Sequence, residues 1–499
     1  MIELLSPAGN VEKLKYCYTY GADAAYIGLK NFSLRVKADN FYEDEYKKVV
    51  ELKKQFPGKR LHCALNISFH NDEIDRLIAN LPYFKEYPID AFIVQDLGIV
   101  PILQKEFPNA QLHLSTQASC MNREAVKMYK SIGFSRVVMG REASLREIKE
   151  IKDAVPDMEI ETFVHGAMCI AYSGRCLLSA YMNGRSAQEG FCSHSCRWDY
   201  DVLGNLAGTK LDESTFTPEI SKQIAESGKL VVREHKRPDE YFPVYEGENF
   251  TAVMSSKDLC MIDHLKELKD AGIDSLKIEG RMKSVYYVAM ITRAYRKALD
   301  SLEGKISEKE AKPYIDELYK VSHRPFATGF YFNKSDADVT VSGASDSPFE
   351  LAAEVGTKIS EEESEKILTK AKELEDSLQK EYDSLCEEAK IAWNKRVEHC
   401  PDRHLKCAHK IKGWKMYPIT ALNMIDGESE VEFISPNTCG EKLDHKDFQL
   451  LNPHTGEIYN WVCDGHDCVI YTKHDFENGT LLRTKDKEYV EGKFRDNGR

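Results

Sequence analysis

The chain has 499 residues, too many for one ordinary core, and its length predicts two or three domains. Apolar residues make up 42%, enough to pack cores, which excludes a chain disordered throughout. The net charge of −13 excludes a strongly basic, non-specific nucleic-acid binder but is compatible with a local basic cleft.

The N-terminal MIELLSPAG has no charged leader and runs straight into a strand-like segment. No window approaches the roughly 18 consecutive apolar residues that a membrane span needs. The expectation is a soluble cytoplasmic protein without membrane contact. Eight strand candidates then follow in order: IELLSPA, AAYIGLK, RLHCALNI, DAFIVQD, QLHLSTQA, RVVMGRE, EIETFVHG and SLKIEGR. Most precede a helix-like segment with apolar residues at three- and four-residue spacing, such as YEDEYKKVVELKKQF or SLREIKEIKDAV. Repeated strand–helix units imply a parallel sheet covered by helices. Eight of them predict an α/β fold, a TIM-like (β/α)8 barrel over residues 1–335. An open doubly wound sheet is the alternative, but it rarely needs eight similar units, and no GxGxxG follows the first strand.

The seventh unit is interrupted by a β-rich insertion at about 197–254, where alternating segments and the turn-like EGEN read as hairpins. Residues 345–412 read as a charged helical arm or linker. There Ser360 and Glu363 form a capping box, and Ile367, Ala371, Leu374, Leu378, Leu385 and Ala389 share one stripe. The stripe serves either a brace on the barrel or an arm for a protein partner. Residues 413–499 show short strands and turns and predict a small β-barrel-like domain.

Between strand seven and the insertion lie Cys169, Cys176, Cys192 and Cys196, in a polar, Gly-rich segment. Clustered cysteines in a large cytosolic chain read as metal ligands rather than disulfides. Four thiolates suit a 4Fe–4S cluster, and thiolates also suit zinc. The tight CxxC knuckles common in zinc sites are absent, as is the CxxxCxxC of radical-SAM enzymes. The segment follows strand seven, and TIM-barrel chemistry gathers at the C-terminal ends of the strands. The residues ending the strands are therefore site candidates: Asn66, Asp96, Gln117, Arg141, Glu142, His165, Glu279 and Arg281, with Arg35 and Lys37 after strand two.

Glu161, Phe163, Gly166, Cys169, Gly174, Cys176 and Ser179 stand in the order of the signature of the collagenase-like U-family peptidases (family thirty-two), which the chain resembles. SLRVKADNF, QASCMN, CRWDY, MSSKDL and SLKIEGRMKS extend the resemblance over residues 1–335, and its closest branch is that of the tRNA hydroxylation proteins. The resemblance implies a 4Fe–4S cluster on the four cysteines and formation of 5-hydroxyuridine at the tRNA wobble position without molecular oxygen. It also implies prephenate as cosubstrate, whereas sister branches act on ribosomal RNA or quinone precursors. Arginine forks suit carboxylates. Arg35, Lys37, Gln117 and Arg141 are accordingly expected to hold substrate, and His165, Glu279 and Arg281 to form the catalytic set. The competing reading has the arginines bracing the loops on Glu142 and Glu279. A Cys–His peptidase is the rival activity, although a cysteine committed to a cluster cannot also be a free nucleophile. Finally, Cys400, His404, Cys407 and His409, with Cys439, Cys463, His466 and Cys468, leave a second metal site open.

Overall fold

The computed structural model describes residues 2–29, 32–33, 41–42, 44–169, 171–179, 192, 196, 231–233, 241–243, 245–246, 251–252, 256–333, 347–391 and 406–486. The described residues up to 333 form one compact unit, and those from 347 onward form a second.

In the first unit the strands are β1 (Glu3–Pro7), β2 (Ala24–Ile27), β3 (Arg60–Leu65), β4 (Ala91–Val94), β5 (Gln111–Leu114), β6 (Arg136–Val138) and β7 (Glu159–Ala167). The insertion contributes β8 (Val231–Arg233), β9 (Tyr241–Pro243), β10 (Tyr245–Glu246) and β11 (Thr251–Ala252), paired antiparallel as β8–β9 and β10–β11. Then come β12 (Asp258–Cys260), β13 (Ser275–Ile278) and β14 (Phe326–Ala327). Strands β1 to β7 pair in sequence order, and β13 pairs in parallel with both β7 and β1, closing an eight-stranded barrel. The closing strand is the expected eighth one, SLKI. Strand β12 is an addition that sequence periodicity did not separate. It runs antiparallel along the end of β7, matching Cys260 with His165, and Arg324 fastens it through Asp258 at 2.7 Å.

The covering helices are α1 (Val11–Thr19), α2 (Glu45–Gln55), α3 (Asn71–Phe84), α4 (Val100–Glu106), α5 (Arg123–Ser131), α6 (Leu145–Ala154), α7 (Leu265–Asp270), α8 (Val285–Leu302) and α9 (Glu308–Leu318). Their starts are encoded locally. Asn10 and Asn122 accept backbone N–H groups of α1 and α5, and Ser144 with Glu147 forms a capping box on α6. Strands β2, β4 and β13 are buried at every position, as a parallel sheet covered on both faces requires.

The barrel interior departs from the usual filling of branched aliphatic side chains. Buried Arg136 bonds Glu159 at 2.8 Å and Glu161 at 3.0 Å and also reaches Glu3, while Lys277 bonds Glu161 at 2.7 Å. Burial alone would raise the Glu161 carboxyl, but Lys277 and Arg136 outweigh it and hold the group below its usual range.

The second unit holds β15 (Phe349–Val355), the helix α10 (Glu361–Ser384), β16 (Lys406–Cys407), β17 (Lys415–Ala421), β18 (Ile425–Asp426), β19 (Val431–Ser435), β20 (Thr438–Leu443), β21 (Phe448–Leu451), β22 (Glu457–Ile458), β23 (Trp461–Val462), β24 (Asp467–Thr472) and β25 (Leu481–Lys485). Nine of these strands make one sheet in the order β16-β22-β21-β24-β17-β15-β25-β19-β20. Its two outer strands do not pair with each other, so the sheet is a half-barrel rather than a closed barrel. The expected boundary at 413 also differs from the structure. Strand β15 lies between β17 and β25, and α10 buries Ile367 and Ala371 against Met416, Leu451, Val469 and Tyr471. The charged helix is thus part of this unit, because its apolar stripe finds the sheet.

Candidate functional site

The C-terminal ends of the barrel strands surround a pocket. Of the expected site residues, Gln117, Arg141, Glu279 and Arg281 line it, together with Asn66. The Arg141 guanidinium lies 3.9 Å from the centre of the Phe163 ring and 3.5 Å from Glu279. Arg281 is buried and donates to Ser33 Oγ at 3.1 Å. The bracing reading therefore holds for Arg141 and Glu279, and both still face the pocket. Arg35 and Lys37 lie outside the described residues.

His165, expected in the catalytic set, is buried and is not among the pocket-lining residues. A register shift where β7 meets β13 accompanies its departure from the inward rows, and its ring packs on Tyr295, Tyr287 and Phe326. Burial pushes its imidazole down to about 3. Its backbone carbonyl accepts from Glu279 N–H at 2.9 Å, so His165 belongs to the wall that holds Glu279. Asp96 is likewise structural: it accepts from Phe69 N–H at 3.0 Å and from Gly98 N–H at 2.8 Å.

Sequence reading missed Tyr26, Ser115, Phe163 and Lys277, which also line the pocket. Lys277 had a signal, since a charge inside the apolar strand SLKI needs a partner once both faces of the sheet are covered.

The loop carrying Cys169 and Cys176 is fastened beside this pocket. Ser173 donates its N–H to Glu142 Oε1 at 2.7 Å, and its Oγ accepts from Arg141 N–H at 3.3 Å. Its carbonyl accepts from Ser119 Oγ, and Ser119 itself has a φ of 52°, a left-handed conformation uncommon for a residue with a side chain. Gly174, at a φ of 73°, lies so close to the chain at Gln117 that an added Cβ would stand 2.0 Å from that carbonyl oxygen. Glycine is required there by both conformation and space.

Four thiols have the donor chemistry of an iron–sulfur or zinc site. Cys169 is exposed, Cys176, Cys192 and Cys196 are partly exposed, and none is in a disulfide. They contrast with Cys63, Cys120 and Cys260, whose thiols burial pushes up to about 12, 11 and 11. The only group of three metal-type side chains within 4.8 Å among the described residues is a different one, His62, His113 and Glu161. Both nitrogens of His62 and Nδ1 of His113 are buried without a hydrogen-bond partner. Burial and then neighbouring charge, including Arg136 and Lys277, push both imidazoles well below their usual value. Both are therefore neutral core imidazoles.

In the second unit, Cys463 Sγ lies 3.6 Å from His466 Nδ1, while Cys407 and Cys468 are buried in the packing of the sheet. Among the described residues no three of the candidate ligands there converge. Cys400 and His404 lie outside the described residues.

Residues 9–340 match the model of peptidase family U32. The tRNA hydroxylation protein P of Escherichia coli is 38% identical over 341 residues, 66% of this chain and 74% of that protein. The tRNA hydroxylation protein P1 of Bacillus subtilis is 40% identical over 333 residues, 66% of this chain and 70% of that protein. The 23S rRNA 5-hydroxycytidine C2501 synthase of Escherichia coli is 33% identical over 365 residues, 71% of this chain and 48% of that protein. The barrel of this chain carries the cysteine loop at its mouth and the family model matches two thirds of the chain's length, so the chain belongs to peptidase family U32.

Proposed function

We propose that this chain is an RNA hydroxylase that forms 5-hydroxyuridine at the wobble position of tRNA. In this reading it works without molecular oxygen, carries a 4Fe–4S cluster on Cys169, Cys176, Cys192 and Cys196, and uses prephenate as cosubstrate. The observation that carries the proposal is the fastening of the Cys169–Cys176 loop over the ends of β5 and β6, beside a pocket lined by Arg141, Lys277 and Arg281. The names of the two tRNA-modifying relatives support the RNA substrate. A bound cluster supplies one-electron chemistry next to the pocket. The chain's own residues bind and orient. Arg141 and Arg281 present cations to an acidic cosubstrate, and Glu279, held by Arg141 and by the His165 carbonyl, is the proton-handling carboxylate.

A peptidase gains little support from the pocket. Its described lining has no cysteine or histidine. Ser115 Oγ accepts from Gln117 N–H at 3.3 Å, and Thr116 Oγ donates to the Met139 carbonyl at 3.0 Å, so both hydroxyls are engaged with the backbone. The relative named for ribosomal 5-hydroxycytidine makes ribosomal RNA the second reading.

The test is nucleoside mass spectrometry of tRNA and 23S rRNA from a strain lacking every family member, complemented with this chain. Wobble 5-hydroxyuridine returns with the wild type and falls at least about tenfold with Arg141→Ala, the loss of one charge-assisted contact. Hydroxylated cytidine in 23S rRNA alone moves the assignment to the ribosome. No hydroxylation of either RNA rejects the proposal. Anaerobic purification that yields zinc without iron or sulfide rejects the cluster.

A further inference from the structure

The charge that is left over at the floor of the pocket is Lys277. Lys277 on β13 and Glu279, the residue that follows the strand, both line the pocket, so Lys277 sits one layer below the rim carboxylate. Its side chain is only 5% exposed and its Nζ is 2.7 Å from Glu161 Oε1. The ammonium lies 4.6 Å from the centre of the Tyr26 ring and 5.5 Å from that of Phe163. Phe163 also carries the Arg141 guanidinium at 3.9 Å, so a rim cation and a floor cation lie against the same aromatic ring. Three cationic side chains line the pocket against one carboxylate, Glu279.

Glu161 does not depend on Lys277 alone. Its other oxygen, Oε2, bonds Arg136 at 3.0 Å. Lys277 can therefore turn to a ligand without leaving a buried carboxylate unpaired. A lysine suits this exchange because its compact charge rides on a flexible stem, whereas a guanidinium would be locked by its fork.

We propose that Lys277 is the floor contact of the pocket and receives a carboxylate of a small organic acid, passing from Glu161 to that carboxylate as the acid enters. This rests on the reading that an acidic cosubstrate occupies the mouth pocket. It assigns the pocket floor to the acid and leaves RNA at the rim, since a neutral nucleobase offers the ammonium no counter-charge.

The experiment measures prephenate binding to the purified, cluster-loaded protein by calorimetry. The expected result is binding by the wild type and a Kd about 10- to 100-fold higher for Lys277→Met, the loss of one charge-assisted hydrogen bond. The variant retains the Arg136–Glu161 pair. A second measurement needs no variant: prephenate slows reductive methylation of Lys277 in the wild type but not that of exposed Lys105, followed by peptide mass spectrometry. An unchanged Kd in Lys277→Met overturns the assignment of Lys277 while leaving the acid pocket standing. So does methylation of Lys277 that prephenate does not slow, or that never occurs. Failure of the wild type to bind prephenate overturns the pocket reading and the floor contact with it.

Discussion

Cys169 and Cys63 are the same residue type in opposite situations. Cys169 is exposed at the mouth, whereas burial holds the Cys63 thiol protonated, up to about 12. Only a thiolate attacks an electrophile or binds a metal. In metal-free, reduced protein at pH 8, iodoacetamide is expected to alkylate Cys169 at least about tenfold faster than Cys63, Cys120 or Cys260. Peptide mass spectrometry over time reads the rates, and equal labelling would contradict the division. The loop of Cys169 and Cys176 was legible in the sequence because the two are close in the chain and polar around. Lys277 and His165 were not legible as site and wall. Each lies within a strand, and which way it faces depends on how β7 and β13 register across more than one hundred intervening residues.

Among the elements, the cysteine loop is held by the close approach of Gly174 to Gln117 as well as by the bonds of Ser173. Gly174→Ala would impose a left-handed conformation worth roughly 1–2 kcal/mol on a residue with a Cβ. It would also drive that Cβ against the Gln117 carbonyl. The expected outcome is faster amide exchange over residues 171–179 with strands β1 to β6 unchanged, and hydroxylation lowered at least about tenfold. Unchanged exchange in the loop would show that Gly174 does not hold it. The helices were readable because their caps and apolar stripes are local signals. Strand β12 was not: its three residues gain meaning only from Gly166 and His165 beside them on β7. Helix α10 was read correctly as a helix with an apolar stripe, but the sheet that takes the stripe includes β15, which precedes the helix in the chain.

For the whole molecule, the buried histidines of the barrel and its paired glutamates act in one direction with pH. His62, His113 and His165 all have folded values below the usual 6.5, with His165 at about 3. Below pH 6.5 the unfolded chain takes up protons that the folded barrel refuses, so the stability these groups contribute is present above 6.5 and is lost as pH falls through their folded values. Glu3 and Glu161, held below 4.5, add to the loss once pH drops past the unfolded carboxylate value. The expected slope is about 1.4 kcal/mol per pH unit for each refused proton. Urea midpoints measured from pH 7 to pH 4 should fall steadily, and His165→Phe should flatten the fall. A midpoint that stays level over that interval would contradict the burial of these groups. The sequence by itself determined the eight-unit barrel, its helix starts and the placing of four cysteines after strand seven, because periodicity, caps and chain proximity are local. Only the tertiary structure decided that His165 faces the wall, that Lys277 faces the pocket and that the second sheet stays open. Those outcomes follow from strand registers and packing between residues far apart in the chain, which no local pattern carries.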